Sequence, residues 1–203
     1  MRRIIQCLIG LACIPAGLVA QATKAPAKPA GPPLTEAQQI ASAVLPLPAE
    51  FRDGARVLGH RAGSVQLVPL REGNGAFTCL ATEPAAEFHL ACYHNSMEPF
   101  MARGRALRAQ GVKGAQVDTV RFAEVKSGKL TVPTQPAALY QLFGGKYNAA
   151  TNELTGAQSL FVAYIPGATA ASTGITDKPA PAGAPWIMFP GTPKAHIMLT
   201  PKM

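Results

Sequence analysis

AFTCLA at residues 76–81 and FHLACY at residues 88–93 form the stretch of sequence that decides the fold. Both runs are short and mostly apolar, and residues 82–87 join them, so we expect two neighbouring β-strands. Each run carries one cysteine, Cys79 in the first and Cys92 in the second. A bridge between two cysteines on neighbouring strands is geometrically feasible.

Strand-like runs continue on both sides of this pair. Upstream, residues 55–58 and 64–70 are separated by a short turn. Glu72-Gly73-Asn74-Gly75 then predicts a hairpin turn, because glycine and asparagine accept positive φ at little cost. Downstream, residues 160–165 form a near-continuous apolar run, which predicts a strand buried on both faces. Residues 186–189 and 196–199 are the last predicted strands.

Two segments carry the signals of helix starts. Thr35 and Gln38 have the capping-box spacing, so a helix is expected to begin at Thr35. Asn95 or Ser96 can cap a second helix over residues 97–109, since its proline falls in the first turn.

Residues 117–125 fit neither the helical nor the strand period, and residues 137–143 are equally ambiguous. The chain as a whole predicts an α+β fold. We expect a mostly antiparallel sheet with one or two packed helices and one disulfide-stapled hairpin.

Residues 1–22 have the pattern of a secretory signal peptide. Arg2 and Arg3 form a positive start, residues 4–19 are mostly apolar, and Ala20-Gln21-Ala22 supplies the small-x-small pattern for cleavage after Ala22. We therefore expect a periplasmic or secreted protein.

The same region allows other membrane-related interpretations. A spanning helix needs roughly 20 apolar residues, and the run is shorter and interrupted, so no transmembrane segment is expected in the mature chain. Leu11-Ala12-Cys13 resembles the end of a lipobox, and a lipoprotein anchored at Cys13 is the alternative. Residues 23–33, TKAPAKPAGPP, predict an extended linker. Residues 34–203 then form the predicted single globular domain.

Cleavage after Ala22 would remove Cys7 and Cys13 and leave Cys79 and Cys92. An even pair of cysteines in an exported domain is most simply a disulfide. Closing this loop of about 14 residues would stabilise the fold by about 3 kcal/mol in the chain-entropy description. The competing interpretation, a reactive thiol, lacks the Cys-x-x-Cys pattern of redox cysteines.

The chain is basic, with a formal net charge of +8 at pH 7. Its densest basic stretch runs from Arg103 to Lys129 and is interrupted by Asp118 and Glu124. The stretch has no interleaved aromatic residues, and an exported protein meets little nucleic acid, so nucleic acid is not an expected partner. We expect a solvated helix face. Weak attraction toward an anionic envelope surface is the alternative.

Residues 70–79, LREGNGAFTC, resemble a motif of an uncharacterised family of exported bacterial proteins. In that family the glycine-asparagine turn is also followed by an aromatic residue, a threonine and a cysteine. The tail is similar to theirs as well, with PWIM at 185–188, PGTP at 190–193 and AHIM at 195–198. The resemblance implies an exported domain and brings no activity, cofactor or catalytic residue with it.

Histidine is the main candidate for metal chemistry. His89 and His94 lie on either side of Cys92, but on a strand Cys92 and His94 share one face while His89 points to the other. His196 and Met198 could add an imidazole and a thioether, a ligand set suited to copper in an oxidising compartment. We expect no cofactor, and a copper or zinc site at the three histidines is the alternative.

Two further patterns suggest catalysis only weakly. Residues 170–174, AASTG, approximate the G-x-S-x-G motif around Ser172, with Asp177 and His196 following, but the first glycine is missing. Glutamates also flank the cysteine hairpin at Glu72, Glu83, Glu87 and Glu98. Their spacing places no two carboxylates at a working separation.

These observations favour an exported, non-catalytic protein that binds a partner or ligand through its loops. A small metalloprotein or enzyme with a histidine-based site is the alternative. The two hypotheses differ in one observable, because a metal site requires imidazoles that converge in the fold.

Overall fold

The computed structural model describes residues 33–84, 86–180 and 183–199. Its α-helices, named α1 to α5 in chain order, are Glu36–Ala43, Ala49–Arg52, Glu98–Ala109, Gln116–Lys126 and Ala170–Thr173. Its strands, named β1 to β10, are Arg56–His60, Leu67–Arg71, Phe77–Leu80, His89–His94, Ala137–Phe143, Lys146–Asn148, Glu153–Thr155, Gln158–Tyr164, Trp186–Met188 and His196–Leu199. A 3₁₀ turn at Asn95–Met97 leads into α3.

Eight of the strands form one sheet in the order β2-β1-β3-β4-β5-β8-β10-β9, and β6 pairs with β7 as a separate hairpin. All neighbours in the large sheet are antiparallel except β1 and β3, which are parallel. The predicted α+β class with a mostly antiparallel sheet and a Cys79–Cys92 disulfide is confirmed. The described part of the chain contains five α-helices, more than the one or two expected.

The predicted hairpin turn at residues 72–75 is wrong. Strands β2 and β3 are not neighbours, because β1 lies between them. The connection instead runs against the backbone at the start of β1, where Gly75 N donates to Gly54 O at 2.8 Å. A β-carbon on Gly73 would lie 2.4 Å from Gly54 O and 2.5 Å from Arg56 N. Glycine is therefore required here by close backbone approach, and neither Gly73 nor Gly75 has a positive φ.

The predicted start of α1 is confirmed, since Thr35 caps it and forms the reciprocal capping-box hydrogen bonds with Gln38. Helix α3 has proline in its first turn as predicted, but the predicted cap at Asn95 or Ser96 is wrong. The N-cap is Met97, which makes no side-chain cap hydrogen bond, because a 3₁₀ turn capped by His94 precedes the helix.

The two ambiguous segments become α4 and β5. Helix α4 buries Val117 and Arg121, which are four residues apart and therefore on one side of the helix.

The large sheet has a core on each face. Cys92 and Tyr93 are consecutive on β4 and so point to opposite faces. The face that carries Cys92, here named the α1 face, buries Ala43, Val44, Leu47, Ala55, Val57, Phe77, Cys79, Ala81 and Cys92. The opposite face, here named the α3 face, buries Tyr93, Met97, Ala137, Leu139, Val162 and Tyr164, with Met101 of α3 packed against them.

The N-terminal expectations fall on residues outside the described part. These are the signal peptide with cleavage after Ala22, lipid attachment at Cys13, and most of the linker at residues 23–33. Among the helices of residues 33–84, 86–180 and 183–199, none is long and apolar enough to cross a membrane.

Candidate binding surface

One row of side chains crosses the α1 face on six strands. Each member is directly paired with the next in the strand register, and directly paired residues place their side chains on the same face. In order, the row is Val57, Cys79, Cys92, Tyr140, Phe161 and Leu199. The register therefore makes these six side chains lateral neighbours.

The first half of this row is covered. Val57, Cys79 and Cys92 are fully buried, and α1 packs against β1, β2 and β4. The disulfide lies directly under this helix, with Cys92 Sγ 3.2 Å from Ala43 O. It ties together two strands in the centre of the sheet, at the point where α1 covers them.

The second half of the row is open. Phe161 is 37% exposed and Leu199 is 38% exposed, although both continue a row that begins with buried residues. The prediction that residues 160–165 form a strand buried on both faces is wrong. On β8 only Val162 and Tyr164 are buried, and both lie on the α3 face. On the α1 face of β8, among the described residues, Phe161 is exposed and its neighbours Ser159 and Ala163 are only half-buried.

Aromatic rings connect the open half to α2. The ring centroids of Tyr140 and Phe161 are 5.4 Å apart, those of Phe77 and Tyr140 are 5.8 Å apart, and those of Phe51 and Phe77 are 5.1 Å apart. Edge-to-face and tilted contacts at these distances are favourable. Phe51 on α2 is itself 40% exposed. We name Phe51, Tyr140, Phe161 and Leu199 the open half of the α1 face.

A small cavity, largely open to solvent and with almost as much polar as apolar surface, lies beside the open half. Its volume is about 290 Å³, and Leu45, Leu142, Leu154, Gly156, Ala157 and Ser159 line it. Leu142 and Ser159 are directly paired on β5 and β8, two residues along from Tyr140 and Phe161. The cavity therefore opens on the same face of the sheet. Its volume is near the lower end of the range for small-molecule pockets.

The structure does not bring the three predicted histidines together. His89 and His94 are at opposite ends of β4, roughly 17 Å apart at the usual strand rise. His196 is on β10, three strands away from β4, which corresponds to roughly 14 Å. In residues 33–84, 86–180 and 183–199, no three or more His, Cys, Asp or Glu side chains are placed to hold a metal ion together.

Each of these histidines has a polar neighbour within hydrogen-bond distance. The pairs are His89 Nε2 with Gln141 Oε1 (2.8 Å), His94 Nδ1 with Ser96 Oγ (2.8 Å) and His196 Nδ1 with Lys194 O (2.7 Å). His196 is buried, and burial lowers its pKa, with the charge of Lys194 acting in the same direction.

The residues of the other two catalytic patterns, the Ser172 motif and the glutamates, make structural contacts. Ser172 lies in α5, where it exchanges capping-box hydrogen bonds with Thr169. Of the four glutamates, Glu72 and Glu98 meet at one cation. Arg56 Nε is 3.2 Å from Glu72 Oε2, and Arg56 Nη1 is 3.5 Å from Glu98 Oε1.

Glu98 also takes part in a polar cluster on the α3 face. The buried Tyr93 hydroxyl donates to Glu98, and Arg105 donates both to Tyr93 Oη at 2.7 Å and to Glu98 Oε1 at 2.6 Å. Burial raises the pKa of Tyr93 far above its ordinary value. The cluster joins β4 to α3 and is satisfied by its own members, so it has the character of a structural contact.

Sequence reasoning missed all four residues of the open half. Exposed aromatic residues carry no local signal, because the same apolar pattern is typical of a buried strand. Helix α1 covers this face at β1, β2 and β4, and the exposed Phe161 and Leu199 lie beyond its reach. Comparison of the chain with family models, with curated proteins and with solved structures gives no match.

Proposed function

We propose that this chain is an exported, non-catalytic binding protein that takes an apolar segment of its ligand on the open half of the α1 face. The observation that carries the proposal is the pair Phe161 and Leu199. They lie directly opposite each other and are both more than a third exposed, on the face whose residues on β1, β3 and β4 are core. Contiguous exposed apolar surface in a folded protein is typical of an interaction site.

The shape of this surface suggests the chemistry of the ligand. Phe51, Tyr140 and Phe161 present rings that support each other, so little side-chain entropy is lost on contact. The leucine-lined cavity next to them can receive a branched or linear hydrocarbon group. An uncharged ligand with an extended apolar part, one end in the cavity and the rest across the rings, fits both features.

The disulfide supports export. Buried structural disulfides persist in oxidising compartments and are rare in reducing ones. The resemblance of residues 70–79 to exported bacterial proteins is in keeping with a periplasmic or secreted location.

The test uses a neutral apolar fluorophore, N-phenyl-1-naphthylamine, because an anionic dye would also respond to the basic charge of the chain. We expect it to bind the mature protein, and we expect Phe161→Ser to weaken binding about tenfold, since burial of a phenylalanine contributes roughly 1.5–3 kcal/mol. Val65→Ser is the matched control, because Val65 is 67% exposed in the loop between β1 and β2, away from the open half.

An equal loss of probe affinity in both variants, or unchanged affinity in Phe161→Ser, would contradict the proposal. Because Phe161 is already partly exposed, its replacement should leave the thermal unfolding midpoint close to that of the parent protein. That midpoint is the check that both variants are folded.

A further inference from the structure

Helices α3 and α4 and the turn between them carry more basic than acidic residues, and the ion pairs show which of the basic residues have an acidic partner. Residues 98–129 contain three acidic and seven basic residues. Each acid is bound to an arginine of the same pair, in the combinations Glu98–Arg105, Asp118–Arg121 and Glu124–Arg103. Each of the three acids thus has an arginine partner within the pair, and Glu98 and Asp118 each contact a second cation outside it, Arg56 and Lys194.

The ion pairs have short distances, and Glu124 and Asp118 each accept more than one hydrogen bond. Arg103 binds Glu124 in a bidentate arrangement, with Nε 2.8 and 3.0 Å from the two oxygens and Nη2 2.6 Å from Oε1. The hydrogen bond from Arg103 holds the pKa of Glu124 below its ordinary value. Asp118 binds both Arg121, which is 4% exposed, and Lys194 Nζ at 2.9 Å.

Four exposed cations remain on this surface. Among the described residues, Arg108, Lys113, Lys126 and Lys129 have no acidic partner within ion-pair distance. Arg108 and Lys113 flank the turn between the helices, and Lys126 and Lys129 lie at the far end of α4. At 1.5 Å per residue, α4 separates the two pairs by about 16 Å.

The surface between these two pairs is made of small side chains. Its exposed residues include Ala106, Ala109, Thr119 and Ala123. Short side chains let a partner surface approach α3 and α4 closely. Charged side chains of the two helices that remain partly exposed, such as Arg103 and Glu124, are bound to each other.

We propose that the outward surface of α3 and α4 docks the protein on an anionic phospholipid bilayer. Each lysine or arginine at such a surface increases partitioning by about fivefold, and the small exposed side chains of α3 and α4 let these cations approach the headgroups. The open half of the α1 face is on the other side of the sheet and would point away from the bilayer. The inference therefore stands independently of the proposed ligand site.

The experiment measures sedimentation of the mature protein with phosphatidylcholine vesicles, with and without phosphatidylglycerol. We expect binding only to the vesicles that contain phosphatidylglycerol. Arg108→Gln/Lys113→Gln should lower the partition coefficient by about 25-fold, from two contributions of about fivefold each. The matched control is Lys146→Gln/Lys178→Gln, which removes the same charge from two exposed positions outside α3 and α4.

Salt gives a second readout. Raising the salt concentration from about 0.1 M to about 1 M shortens the Debye length from about 10 Å to about 3 Å and should release the protein from the vesicles. Equal losses in the two double variants would show that net charge alone attracts the protein and would overturn the proposal. Equal binding to the vesicles without phosphatidylglycerol, or no binding to either kind, would overturn it as well.

Discussion

A β-carbon on Gly104 would lie 2.9 Å from Nη1 of Arg121 and 3.3 Å from its Cζ. Arg121 cannot easily move away, because its side chain is buried, donates to Phe100 O at 3.1 Å and stacks 3.9 Å above the Phe100 ring. The guanidinium of Arg121 therefore occupies the space that a side chain at position 104 would need. This contact packs α3 on α4 together with the Arg103–Glu124 ion pair and the stacked rings of Phe100 and Phe122.

Gly104→Ala should destabilise the protein by about 1–2 kcal/mol, because overpacking at the buried guanidinium outweighs the gain in helix propensity. At an unconstrained helix position the same change stabilises by about 1 kcal/mol. Urea unfolding of the two single variants and the double variant separates these effects. In an Arg121→Ala background, Gly104→Ala should become stabilising, and a stabilising effect in the parent protein would contradict the contact.

Gly73→Ala should destabilise by more than 2 kcal/mol, because its β-carbon would overlap the backbone of Gly54 and Arg56, which cannot rotate away. Asn74→Ala, the next residue along, is the control and should have a smaller effect. Chemical denaturation of both variants tests the connection between β2 and β3. Tolerance of alanine at Gly73 would favour the hairpin turn that the local sequence predicts.

Cys79→Ala/Cys92→Ala should lower the free energy of unfolding by about 3 kcal/mol, since the bridge closes a short loop in the unfolded chain. Both sulfurs are fully buried, so the oxidised protein should also resist reduction until it unfolds. The measurements are denaturant unfolding of the double variant and the rate of thiol release in reductant. Fast thiol release from the folded protein would be inconsistent with a bridge beneath α1.

Acidification should destabilise the protein through His196. Its folded pKa is lowered from 6.5 by burial, so the unfolded chain binds a proton first as the pH falls. The free energy of unfolding should thus decrease as the pH falls below the unfolded value of 6.5 and level off below the folded pKa. His196→Asn, which keeps a donor for Lys194 O, should flatten this dependence, as measured by unfolding across that pH range. An unchanged slope would assign the effect to other groups.

Asp118 acts at lower pH. Burial raises its pKa, but hydrogen bonds from Lys194 and Arg121 outweigh burial and leave the pKa below its ordinary value of 3.8. Its stabilising contribution is therefore present above the unfolded pKa and is lost only as the pH falls through the folded value. The two titrations are separated in pH, so the His196→Asn variant should retain the more acidic transition.

Local sequence patterns determined much of the framework. The capping box at Thr35, the strands that carry Cys79 and Cys92, and the bridge between them follow from residue type and short spacing. Backbone preferences and side-chain alternation act over a few residues, so they are readable from the chain alone. Residues 117–125 are an exception, because their apolar positions fit neither the helical nor the strand period. Their helix packs through the buried Arg121, which lies over the Phe100 ring of α3.

The candidate surfaces depended on contacts between distant segments. Insertion of β1 between β2 and β3 overrode the turn signal at residues 72–75, because strand order is decided by which apolar faces pack together. The exposure of Phe161 depends on which strands the distant helix α1 covers, and the pairing of Glu124 depends on Arg103 reaching it from α3. The sequence by itself determined the capped start of α1, the two cysteine strands and the disulfide, whereas only tertiary packing decided which side chains were buried, paired or left open.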